Sequence, residues 1–249
     1  LAQTHFDQEM PLLAIDANAT MEQGSLLWGP FINHLDLPVV RKAVVHQVAD
    51  HTFSKLSLIG KSTPKAQKTA ARLLEKVRRF VFAQVALHGR GRVLVITNKP
   101  IRRALTGEDA DRLPVSFDLD GAIVTHYGGI RGIDDWKDLD CCIVVGREQL
   151  SPSAAEALAR GVHCDDPAPL HLPGEYVKSP RGYRVADNTK NAGVEVWVHP
   201  EERAQALHEQ VRENEVVQAI DRLRLIHRET PANVFILGDL PVDITVDRL

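Results

Sequence analysis

Cysteine is scarce in this sequence: Cys141, Cys142 and Cys164 are the only three in 249 residues. That is too few for a disulfide framework. The adjacent pair opens the apolar run CCIVVG, which reads as a buried strand in a reducing, cytoplasmic protein. Long hydrophobic runs are missing as well. No stretch approaches the roughly 18 apolar residues of a membrane span, and no charged-then-apolar leader opens the chain, so no membrane partner is expected. Neither sign of charge dominates, since 30 Lys and Arg against 33 Asp and Glu leave a net charge of −3. A uniformly basic surface is thereby excluded, whereas a local basic patch is not. There is no internal repeat or low-complexity tract. The chain opens on Leu1 rather than Met, which suggests a piece of a longer protein.

Two tempting sites fail on what they lack. SLIGKSTP (57–64) places Gly60-Lys61-Ser62 between an expected strand and a helix, as a phosphate-binding loop would. The glycine needed five residues earlier, where backbone wraps the phosphates, is replaced by Lys55. VHCDDPAPLHLP (162–173) gathers His163, Cys164, Asp165, Asp166 and His171, but the spacing matches no zinc pattern and its prolines mark a surface loop. No metal site is expected.

What is present is a rhythm of short apolar runs and helical patterns. PLLAIDA (11–17), RKAVVHQV (41–48), SKLSLI (54–59), RVLVITN (92–98), GAIVTHY (121–127), CCIVVG (141–146) and NVFILGD (233–239) read as strands, several apolar without alternation, as parallel strands covered on both faces are. Thr63 and Pro64 start a helix that stops at Gly89, Ser151 and Pro152 start another that ends at Gly161, and Pro200 opens a third running to Glu229. The alternation predicts an α/β fold with an open, mostly parallel sheet flanked by helices. Between 174 and 200, turn signals separate alternating runs, so an inserted antiparallel hairpin is expected there.

The segment VTHYGGIRGIDDWKDLDCCIVVG (124–146) carries a strand end at Thr125, glycines 128, 129 and 132, an expected short acidic helix and a second strand. Its order of Thr, Arg-Gly-Ile-Asp and Asp-Leu-Asp resembles motif V of superfamily 2 helicases and translocases, the loop that links bound nucleotide to the nucleic-acid strand. RVLVITNKP (92–100) resembles motif IV, LLAIDANAT (12–20) the motif III region, and QAIDRLRLIHR (218–228) stands where motif VI belongs. The variants HYGGIRG and RLRLIHRE are similar to helicase-like replication proteins of phages and plasmids. In motif VI, Gln218 and Arg222 match the pattern, Asp221 replaces a glycine, Leu225 occupies the second arginine position, and Arg224 and Arg228 lie nearby.

The resemblance implies a RecA-like second domain over 39–249, with 1–38 as the tail and linker of a preceding one. It implies ATP and Mg held mainly by an N-terminal P-loop domain of the same full-length protein, because no complete phosphate loop and no paired acidic box occur here. Arg222 would serve as the arginine finger toward the γ-phosphate, with Gln218, Arg224 and Arg228 as further catalytic candidates and Gly132 and Asp134 on the nucleotide side. Nucleic acid, DNA with RNA as the other candidate, would touch Thr97, Asn98, Lys99, Thr125, His126 and Arg131, and Lys178, Arg181 and Arg184 of the hairpin. On a continuous helix Gln218, Arg222 and Leu225 would share one face, and Asp221, Arg224 and Arg228 another. Trp136 and Trp197 read as packing residues. Two other readings stay open: a non-catalytic binding or scaffold protein of the same fold, and an unrelated doubly wound enzyme holding a phosphate-bearing small molecule at the 128–132 loop.

Overall fold

The computed structural model describes residues 13, 21–29, 32–35, 37, 39–60, 63–109, 113–187 and 192–249. The motif III-like stretch, apart from Leu13, lies outside them, as do Lys61 and Ser62. Strands β1 (Ala43–Val48), β2 (Val93–Thr97), β3 (Phe117–Leu119), β4 (Ala122–His126), β5 (Cys141–Val145) and β8 (Ala232–Leu237) form one sheet in the order β1-β8-β5-β2-β4-β3. All pairs are parallel except the short hairpin of β3 with β4.

Both faces are covered, which is why the central strands carry no polar alternation. Leu94, Ile96, Cys142 and Val144 pack on one face with α7 (Glu215–Asp221) and the loop after β4. Val93, Val95, Cys141 and Ile143 pack on the other with the long helix α3 (Pro64–His88) and α4 (Lys99–Thr106). The free edge of β1 is closed by the chain's own tail, since Gln47 N donates to Arg248 O and Arg248 N to Val45 O. No helix among the described residues is long and apolar enough to cross a membrane.

A first helix, α1 (Met21–Trp28), precedes β1; α3 starts and stops as expected, with Thr63 Oγ1 capping Ala66 N and Gly89 N closing on Val85 O. Helix α5 (Pro152–Val162) is capped by Ser151. Three local expectations are corrected. SKLSLI is not a strand: Ser54 Oγ accepts from Ser57 N and starts the short helix α2 (Lys55–Ile59), which Gly60 ends at φ 88°. The expected acidic helix after Gly132 is a chain of turns, preceded by a 3-10 turn over Tyr127–Gly129. The motif IV-like turn continues into a helix, α4, because Asn98 Oδ1 caps Ile101 N.

The third correction changes how the arginines are arranged. The expected helix over 200–229 is α6 (Glu202–Glu209), a π turn over Gln210–Asn214, then α7 ending at Asp221. Beyond it, Arg222 N and Leu223 N close tight i−3 bonds and Arg224 adopts φ 51°, so the chain turns and buries both Leu223 and Leu225. The two helix faces expected for these residues do not exist, and Asp221 pairs with Arg41 at 2.8 Å instead of with Arg224 or Arg228.

The antiparallel insertion is present as β6 (Val177–Gly182) paired with β7 (Gly193–Val198). It lies against the body, because Val194, Val196 and Val198 join the core cluster and Arg212 donates to Trp197 O at 2.6 Å.

Candidate functional site

Helix α7 runs against the strands, from Glu215 near their carboxyl ends to Asp221 near their amino ends, where the arginine turn 222–228 sits. Lys42 N donates to Leu225 O and Ala232 N to Lys42 O, which ties this turn to the start of β1 and β8. Beside it opens a groove of about 650 Å³ lined by Arg92, Lys137, Asp140, Arg224, His227 and Arg228, among others.

The three arginines are held differently. Arg228 donates to the carbonyls of Leu139 at 2.7 Å, Lys137 at 3.0 Å and Thr230 at 3.2 Å, and to Asp140 at 3.3 Å, so it staples two chain segments together. Arg224 Nε meets Asp134 Oδ1 at 2.7 Å, and that hydrogen bond holds the Asp134 carboxyl below its ordinary range. Arg222 is the least satisfied: Nη1 reaches Ile133 O at only 3.5 Å, and the enclosed Nε has no partner. Gln218 is half-buried one helical turn before it.

The loop 127–140 descends from the carboxyl end of β4 to the amino end of β5 beside α7. Tyr127, Ile130, Trp136 and Leu139 anchor it in the core. Arg131 pairs with Glu215 at the top of α7, while Ile133 and Asp134 receive Arg222 and Arg224 at the bottom. Gly132 has φ 74°, and no atom lies within 4 Å of where its Cβ would stand, so the left-handed backbone and not crowding requires glycine there. The structure thus brings the two nucleotide-side candidates, Gly132 and Asp134, beside Arg222 and Arg224. Five-residue strands put Thr97, Asn98, Lys99, Thr125 and His126 roughly 15 Å away, at the carboxyl ends of β2 and β4.

At that carboxyl edge, Thr97 and His126 are register partners at the ends of β2 and β4. Four of the nine residues expected to touch nucleic acid, Thr97, Asn98, Thr125 and His126, are buried: Thr97 donates to Val145 O and Thr125 to Val115 O, both at 2.7 Å, and Asn98 serves as a helix cap. Lys99 and Arg131 are exposed. Missed altogether was Arg102, fully buried, whose guanidinium takes both Glu108 oxygens at 2.8 Å and reaches His126. Its only signal was the Lys-Pro-x-Arg-Arg spacing after the Asn98 cap, legible once α4 is recognised as a helix.

On the hairpin each expected cation has an acidic partner. Lys178 meets Glu195 at 3.0 Å, Arg184 meets Asp243 at 2.7 Å, and Arg181 pairs with Glu209. Trp136 is buried as expected, but Trp197 is 47% exposed with Lys178 lying over its ring. Among the described residues no three His, Cys, Asp or Glu side chains converge as a metal site would require. Asp166 of the proline-rich loop is engaged by Arg203.

No protein-family model and no curated protein matches this chain. A solved 6-phosphogluconolactonase from Shewanella baltica is similar at a TM-score of 0.20 and 11% identity, over 80% of this chain and 99% of that one. A likeness at that level carries no argument about fold or activity.

Proposed function

We propose that this chain is the C-terminal motor half of an ATP-dependent DNA helicase or translocase. Arg222 acts as the arginine finger, Arg224 and Asp134 border the nucleotide side, and the carboxyl edge of the sheet forms part of the nucleic-acid track. ATP and Mg are held mainly by a P-loop domain of the same full-length protein. The observation that carries this reading is the course of one loop. Residues 127–134 begin on the strand end at His126 and finish on Arg222 and Arg224. A strand movement at one edge therefore has a continuous path to the arginine turn, which is what the motif V resemblance requires. The guanidinium of Arg222 adds support, because its one hydrogen bond is the long contact from Nη1 to Ile133 O at 3.5 Å, which leaves terminal N–H groups for a phosphate.

The internal partners of Arg224 and Arg228 would equally suit a non-catalytic scaffold of this fold, and two experiments separate the readings. The coding sequence upstream of Leu1 should contain G-x-x-x-x-G-K-[ST] and an acidic box; a frame without them contradicts the motor. The 249-residue chain should bind a fluorescein-labelled single-stranded oligothymidylate with an affinity that falls as salt rises. No binding at low salt contradicts both the track and the DNA-binding scaffold.

A further inference from the structure

The Gly-Gly pair after His126 and the buried Arg102 act on the same imidazole. Arg102 Nη1 lies 3.1 Å from His126 Nδ1. A guanidinium can only donate, so Nδ1 is the acceptor and the ring proton sits on Nε2. Arg102 is itself fixed: the two Nη1 hydrogens are shared among His126 Nδ1, Pro114 O at 2.9 Å and Val115 O at 3.2 Å, and the rest of the fork holds Glu108. From the other side the ring is confined by Gly129. A Cβ there would stand 2.9 Å from Cε1 and 3.1 Å from Nδ1, so any larger residue would push the ring off Arg102. Among the described residues Nε2 has no hydrogen-bond partner, and it is not one of the enclosed unpaired atoms.

We propose that Arg102 is a positioning residue that locks His126 in the Nε2-protonated tautomer, so that the ring, with Lys99 beside it, offers a fixed N–H donor to a phosphodiester oxygen of a nucleic-acid strand. The ligand half of this statement rests on the function proposed above; the tautomer half does not. The groups facing the ring are Arg102, Lys99 and Glu108. Burial first, then the Arg102 and Lys99 cations, holds the imidazole below its ordinary range, and Glu108 opposes them only in part. The ring therefore takes up its second proton only at lower pH than an unperturbed imidazole, which titrates at about pH 6.5.

Nitrogen-15 imidazole spectra of the full 249-residue chain test the lock without any variant. The expected pattern is Nε2–H, with no titration of His126 near pH ~6.5. An Nδ1–H pattern or an ordinary titration overturns the inference. Arg102→Met should release Nδ1, so that the Nε2–H pattern gives way to a mixture of tautomers, and should move the His126 titration upward while burial still holds it down; should this variant not fold, the wild-type spectrum decides. His126→Ala should weaken oligothymidylate binding roughly tenfold, while His126→Gln, which keeps an amide donor near the Nε2 position, should retain most of it. Wild-type affinity in His126→Ala overturns the ligand half. A chain that binds no oligothymidylate overturns the ligand half and the motor reading together, whereas intact binding with an ordinary His126 titration overturns this inference alone.

Discussion

Arg224 and Asp134, 90 residues apart in the chain, meet at 2.7 Å through Nε and Oδ1. The contact fastens the arginine turn to the loop that descends from β4, and both side chains are 54% exposed. An exposed pair of this kind exchanges partners cheaply, because water and salt already screen most of its attraction. Arg224 can therefore leave Asp134 for a stronger anion without disturbing the fold.

Two measurements follow from that pair. The Asp134 carboxyl should titrate below the ordinary range in the wild type, because the Arg224 hydrogen bond favours its charged form, and should return to that range in Arg224→Ala. The unfolding transition should barely move. Ordinary titration in both proteins would mean that the contact is not formed in solution.

Arg41 and Asp221 make the opposite kind of pair. Two parallel hydrogen bonds of 2.8 Å join them, with side chains only 21% and 34% exposed. They tie the segment before β1 to the end of α7. Arg41→Ala should destabilise the protein by about 1 kcal/mol, and a double-mutant cycle with Asp221→Ala should return most of that as coupling. Additive effects in the cycle would show the pair to be incidental.

Acid should weaken the protein well above the carboxylate range. Tyr176 donates its single proton to Leu150 O, so His208, whose Nδ1 lies 2.8 Å from the same hydroxyl, must donate to it and keep a bare, enclosed Nε2. Burial, then the Arg212 cation, pushes the His208 pKa down to about 3. The folded state resists a proton that the unfolded chain takes up near pH 6.5. The stability this neutral ring contributes is therefore complete above about pH 6.5 and is lost on acidification toward pH 3, at up to ~1.4 kcal/mol per pH unit. Denaturant titrations between about pH 7 and 5 should show that slope, and it should shrink in His208→Gln. A stability flat across that window would contradict the assignment.

The hairpin's cations are balanced by acids, so removing the acids is more informative than removing the cations. Glu195→Gln together with Asp243→Asn frees Lys178 and Arg184. If this surface borders the track, oligothymidylate binding should tighten and its salt dependence should steepen by up to about one unit per freed cation. An unchanged slope removes the hairpin from the track and leaves Trp197 a solvent-facing residue.

Most of the sheet was legible because β2 and β5 are dense apolar runs without alternation, bounded by Gly, Asn or Asp, and β1, β4 and β8 are short, mostly apolar runs in the same rhythm. Helix α3 was legible from Thr63-Pro64 and Gly89. SKLSLI misled because its apolar residues suit a strand as well as a short helix, and the deciding contact, Ser54 to Ser57 N, is a local hydrogen bond that periodicity does not register. The end of α7 was hidden for a different reason. Residues 222–229 have good helix formers, but burying Leu223 and Leu225 together needs a left-handed turn at Arg224, a tertiary demand that overrides propensity. For the same reason the hydrogen-bond partners of Arg222 and Arg224, Ile133 O and Asp134, were not legible. Arg102 escaped notice because its partners Glu108 and His126 meet only when α4 packs beside β4.

If Arg222 acts on a nucleotide held by another domain, ATP turnover in the full-length protein must depend on it. With single-stranded DNA present, Arg222→Ala should lower the turnover number by about 10³-fold while leaving ATP binding within a few-fold of wild type. Turnover equal to wild type in Arg222→Ala would contradict the account.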